Sequence, residues 1–112
     1  MTTLTVRMTA ALDEYSAWQE PLFEDLHRHP ELSMLEERTR GIVAAQLTEF
    51  GYEVQHIGGG VVGVLSRGEG PTVLMRADMD GLPMKEASGL PYASVHTQAD
   101  ADVIDRLKVF TF

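Results

Sequence analysis

Between Ala10 and His29 the apolar residues Leu12, Tyr15, Trp18, Leu22, Phe23 and Leu26 return at steps of three and four, which gathers them on one face of a helix. Pro21 falls inside this run, where it lacks an amide donor and crowds the preceding turn, so a kink or a restart is expected near Glu20. His29 precedes Pro30, whose ring disfavours helical geometry in the residue before it, and the helix should end there. A second helix is predicted from about Met34 to Phe50. Ser33 and Glu36 stand at capping-box spacing, and Leu35, Ile42, Val43, Leu47 and Phe50 continue at helical intervals until Gly51. Residues 1–9, ahead of this pattern, are expected to be disordered or extended.

After Gly51 the pattern becomes extended. Three strands are predicted, at Tyr52–Ile57, Val61–Ser66 and Pro71–Ala77, separated by Gly58-Gly59-Gly60 and by Arg67-Gly68-Glu69-Gly70. Gly58 to Gly63 formally matches the Gly-x-Gly-x-x-Gly dinucleotide fingerprint. A strand-like stretch follows it instead of a helix, so no helix amino terminus is on offer to a pyrophosphate, and a hairpin turn is the better reading. Met84 to Ser94 is rich in turn residues, and Val103 to Phe112 has the pattern of either a short helix or a strand. Two helices followed by three strands make an α/β arrangement.

Composition narrows the field. With 112 residues, 44% hydrophobic and 23% charged, the chain has the profile of one soluble globular domain. A domain of this size is expected to bury about two thirds of the surface its unfolded chain exposes. No apolar run reaches the roughly 18 residues of a membrane-spanning helix. The first residues lack the pattern of a secretory signal, so a cytoplasmic location is the default expectation. Nine basic residues against seventeen acidic give a formal charge of −8, which repels nucleic acid and anionic lipid. The absence of cysteine removes disulfides, thiolate nucleophiles and zinc-thiolate sites, leaving His, Asp, Glu or another chain to hold any metal.

Candidate chemistry concentrates in Arg76-Ala77-Asp78-Met79-Asp80-Gly81-Leu82-Pro83, at the end of the apolar run Thr72–Met75. On a strand, Asp78 and Asp80 would project to the same side. Carboxylates at the carboxyl end of a strand are where open α/β sheets build ligand sites. They could ligate a metal, act as a general base or orient a metal-binding imidazole. The plainer alternative pairs Asp78 with Arg76, or has it cap the turn at Gly81. His27-Arg28-His29 has the look of a His-x-His ligand pair, but helical neighbours two apart project roughly 200° from one another, so surface or capping histidines are the better reading. His56 and His96 are isolated in sequence. Ser33, Ser66, Ser88 and Ser94 lack the strand-turn-helix context of a serine nucleophile. A further alternative is a small metal binder assembled from Asp78, Asp80, His96 and Asp100.

Taken in order, these motifs resemble the amino-terminal part of metal-dependent amidohydrolases of the hippurate hydrolase and N-acyl-amino-acid hydrolase type, relatives of aminoacylase and of carboxypeptidase-like metallopeptidases. The matching residues are Leu26 to Ser33 with Glu36 and Thr39, Gly51 to Val54, Gly70 to Pro83, Glu86, and Gly89 to Ser94. On this resemblance residues 10–102 form part of a mixed-sheet catalytic domain, and 103–112 form a divergent tail.

The resemblance implies hydrolysis of the amide bond of a small N-acylated amino acid, with zinc or manganese in the full-length relative polarising the carbonyl and activating a water. Asp80 matches the aspartate that hydrogen-bonds a ligating side chain and so orients it. Asp78 stands where distant relatives carry a metal-binding histidine, near the site without being assigned as a ligand. The family's His-Ala-Cys-Gly-His-Asp motif, its Glu-Glu pair and its later histidines do not appear in these 112 residues. The expectation is therefore a truncated, frame-shifted or partial gene product that binds no metal of its own and is inactive by itself. The rival expectation is a non-catalytic interaction module, forming homo-oligomers or docking a complementary fragment through an unpaired strand edge.

Overall fold

The computed structural model describes residues 3–96. The predicted tail 103–112, the end of the predicted domain beyond His96, and Asp100 lie outside the described residues. Two helices lead the chain, α1 (Thr3–Ala10) and α2 (Leu12–Arg28), with Ala11 as a turn between them. The leading residues, expected to be disordered or extended, are helical from Thr3. The hydroxyl of Thr9 donates to the carbonyls of Thr5 at 3.0 Å and Val6 at 3.1 Å, reinforcing a turn that hydrophobic periodicity does not reveal. No residue of α1 is buried.

Helix α2 continues through Pro21 without a restart. Proline withholds one amide from the carbonyl four residues back, and the turns on either side close around that gap. Trp18, Leu22 and Leu26 on the predicted face are half-buried, and Trp18 meets Phe50 edge-on with ring centroids 5.3 Å apart.

Helix α3 (Glu37–Glu49) starts three residues later than Met34. Met34 takes a left-handed φ of 68°, which no right-handed helix accommodates. The Leu35 amide instead closes a turn on the Leu32 carbonyl at 2.9 Å. Glu36 occupies the cap position with no side-chain cap bond, so the expected Ser33–Glu36 capping box does not form.

The sheet is an antiparallel hairpin of β1 (Glu53–Ile57) and β2 (Gly60–Val64), in register from Glu53↔Val64 to Ile57↔Gly60. Its loop is Gly58-Gly59, with φ of 57° and 83°. Two consecutive positive φ values define the primed turn that matches strand twist, and glycine adopts them without a side-chain clash. The Arg40 guanidinium donates to the Gly59 carbonyl at 3.1 Å, pinning the turn to α3.

The predicted third strand is corrected. Pro71–Ala77 has extended sequence character but no ladder partner among the described residues, and Val73, Leu74 and Met75 are 83%, 90% and 90% exposed. A strand exists only through a neighbour that takes its amides and carbonyls. Among the described residues, three helices and a two-stranded antiparallel sheet therefore stand where two helices and a three-stranded mixed sheet were expected. The expected single core is also thin. Among the described residues Leu35 is the buried hydrophobic one, at 8% exposure.

Candidate functional site

The site grows from the stretch that leaves α2. His29 ends the helix, and its Nδ1–H donates to the Asp25 carbonyl at 2.8 Å, a histidine closing a helix carboxyl terminus as its position predicts. Two residues on, the buried Glu31 carboxylate reaches the start of α3. It accepts the Arg38 amide at 3.1 Å, the Thr39 amide at 2.7 Å and the Thr39 hydroxyl at 2.6 Å. Glu31 thus caps the helix that the local Ser33–Glu36 pattern leaves uncapped, meeting amides whose partial positive charge favours an anion. Burial pushes the Glu31 pKa up. The Thr39 hydroxyl and amide, the Arg38 amide and the Arg38 charge outweigh that and hold it below its ordinary value of 4.5.

Above this cap runs the carboxylate segment. The Gly81 amide donates to the Glu31 carbonyl at 2.7 Å. A Cβ on Gly81 would lie 3.0 Å from Pro30 Cβ, so the backbone there sits closer than a side chain allows. This contact brings residues 76–82 over the end of α2 and the start of α3. A cleft of about 830 Å³ results, bordered by Phe23, His27, Val43, Asp78, Asp80 and Glu86 among others.

Asp78 and Asp80 both border the cleft, although the strand that was to set their common direction does not form. Asp78 is held by its sequence neighbour: Arg76 Nη2 donates to its Oδ1 at 2.8 Å, both side chains being largely exposed. Among the described residues the exposed Asp80 carboxylate accepts no hydrogen bond. His29 also borders the cleft. His96 lines a separate recess with Arg28 and Ala93, and His56 is exposed on β1.

A contact invisible in the sequence closes the far wall. His27 Nε2–H donates to both Glu86 oxygens, at 2.9 and 3.0 Å, across 59 positions of chain. Glu86 Oε2 also accepts the Ser94 amide at 3.1 Å, and the Glu86 amide donates to the Ser94 carbonyl at 2.7 Å. Tyr92 stacks edge-on against the His27 ring at 5.4 Å and against Phe23 at 6.3 Å. The His27 hydrogen bond lowers the Glu86 pKa, burial opposes it, and the Ser94 amide adds to the lowering. Sequence reasoning missed both glutamates as working groups. Glu86 and Glu31 stand within the motif set of the family resemblance, and no short-range spacing rule links either to its partner.

These partners decide how the donors fit the expected zinc or manganese. Imidazole Nε2 of His27, Nδ1 of His29 and the carboxylates of Glu31, Glu86 and Asp78 are each engaged with protein groups. Among the described residues no three His, Asp or Glu side chains converge as a metal cage would require. The donors of the described residues, as they are placed, do not fit a resident metal. Among those residues, too, no helix is long and apolar enough to cross a membrane.

Comparison with known proteins adds the last finding. The chain is 47% identical over 78 residues to hippurate hydrolase of Campylobacter jejuni, covering 67% of this chain and 20% of that protein. It is 39% identical over 74 residues to N-acetyl-L-cysteine deacetylase of Bacillus subtilis, covering 63% and 18%. Thermostable carboxypeptidase 2 of Saccharolobus solfataricus is 36% identical over 96 residues, covering 81% and 24%. The chain spans about a fifth of the length of the curated relatives it matches. No family model matches it, and no solved structure does.

Proposed function

Because this chain is homologous, over about 60–80% of its length, to hippurate hydrolase, N-acetylcysteine deacetylase and carboxypeptidase-like amidohydrolases, we propose that it carries one wall of an active site hydrolysing the amide bond of small N-acylated amino acids. Asp80 orients a metal-ligating side chain in that site, and Asp78 stands at its rim. Zinc or manganese is the cofactor proposed for the full-length relative, and no described residue is assigned to it. The sequence match carries this reading. The Asp80 carboxylate supports the residue assignment: it borders the cleft and leaves its lone pairs open to an imidazole N–H.

The isolated chain is expected to give no turnover of hippurate or N-acetylcysteine with added zinc, manganese or cobalt. A chimera tests the positive half. The matching stretch of the Campylobacter hippurate hydrolase is replaced by this one, and kcat is measured before and after Asp80→Ala. Activity should survive the exchange and fall about 10- to 100-fold in the variant, the range for removing a group that orients a metal ligand. A folded, metal-loaded chimera that is inactive, or one indifferent to Asp80→Ala, defeats the proposal.

One observation favours a second reading, a non-catalytic module that pairs with a second copy or a complementary fragment. Val73, Leu74 and Met75 form an almost fully exposed apolar run. Sedimentation velocity decides it, since a sedimentation coefficient independent of concentration leaves that reading without support.

A further inference from the structure

Glu31 works at both ends of one residue. Its side chain holds the amides of Arg38 and Thr39 at the start of α3, and its carbonyl holds the amide of Gly81. The peptide between Asp80 and Gly81 is planar, so an acceptor that fixes the Gly81 N–H fixes the plane attached to the Asp80 Cα. Pro30 narrows the choice further. Its ring restricts its own φ, and the 3.0 Å approach to the Cβ position of Gly81 leaves that plane little room to rotate.

We infer that Glu31 is a positioning residue for Asp80: its carboxylate, anchored to the amino terminus of α3, holds its carbonyl where the Asp80–Gly81 peptide docks. The inference rests on the role proposed above for Asp80. A glutamate that only capped α3 would stabilise that helix and leave Gly81 indifferent to its side chain. A positioning glutamate couples the two, and the coupling acts in both directions.

Amide exchange in the chain itself, without substrate or metal, reads the coupling by NMR. Glu31→Gln keeps the shape and removes the charge. Gly81 amide exchange should accelerate about tenfold, the scale of losing one net hydrogen bond, while the β1–β2 amides keep their wild-type rates. Faster exchange at Arg38 and Thr39 with Gly81 unchanged overturns the inference. Should Glu31→Gln unfold the chain, Gly81→Ala decides. Its new Cβ forces the turn off Pro30, and the Glu31 carboxyl, followed by its side-chain carbon resonance, should then titrate closer to the ordinary carboxylate range. An unchanged Glu31 titration overturns the inference. Since neither readout involves catalysis, an inactive chimera and an absent coupling are separate outcomes.

Discussion

Two carboxylates among the described residues are more acidic than ordinary glutamates: Glu31 reaches seven and eight positions along the chain to the start of α3, and Glu86 reaches across 59 positions to His27. Glu31 and Glu86 both have folded-state pKa values below 4.5. A group with a depressed folded pKa stabilises the fold above its unfolded pKa and loses that contribution as pH falls through the folded value. Stability should therefore decline once pH drops below about 4.5. In Glu86→Gln the charge held by His27 and Ser94 is gone at every pH. Urea denaturation at pH 7 should show a less stable protein, and between pH 5 and 3 a shallower loss than wild type; parallel acid profiles would refute the linkage. These contacts were not legible in the sequence. Arg76–Asp78, two residues apart, follows from local reach, whereas the His27–Glu86 pair spans 59 positions and depends on how α2 meets the segment after Met84.

Elements were legible where their signals are local. The face of α2, its stop at His29-Pro30 and the glycine turn between β1 and β2 all follow from neighbours in sequence. Departures arise where partners outside the usual spacing rules decide. The start of α3 moved because Glu31, seven and eight positions ahead of the amides it accepts, satisfies them in place of Ser33. The strand expected at Pro71–Ala77 is absent because no described strand lies beside it. The hairpin gives a direct test. Gly59→Ala places a Cβ at φ 83°, 3.2 Å from Met34 Cε. The left-handed position costs a non-glycine residue about 1 kcal/mol or more. Amides of Gln55 and Ile57 should lose protection by about tenfold in exchange measurements, while those of α2 do not change. Equal protection in the variant would mean that the turn does not limit hairpin stability.

At the scale of the whole molecule the described chain is open. Its radius of gyration is 17.6 Å, against about 13 Å for a compact domain of similar length. Apolar surface that a complete core would cover is left at the solvent, on α1 and most sharply at Val73–Met75. If that run mediates pairing, Leu74→Lys should turn a concentration-dependent sedimentation coefficient into a constant one. A variant that associates as wild type does would place the contact elsewhere. Family kinship was readable from the order of motifs, since it depends on residue identity alone. The donor arrangement was not, because convergence of side chains is a property of packing.

The hydrogen bond from Gly81 to Glu31 also closes the polypeptide between them, with α3, β1 and β2 along its length, into a ring. The entropy of closing such a ring grows only with the logarithm of its contour, about 0.6 kcal/mol for each doubling. Extra residues spliced between Arg67 and Gly70 would barely loosen the fastening, and a single side chain at position 81 would undo it. The molecule is thus indifferent to length along the bight and exacting at the knot.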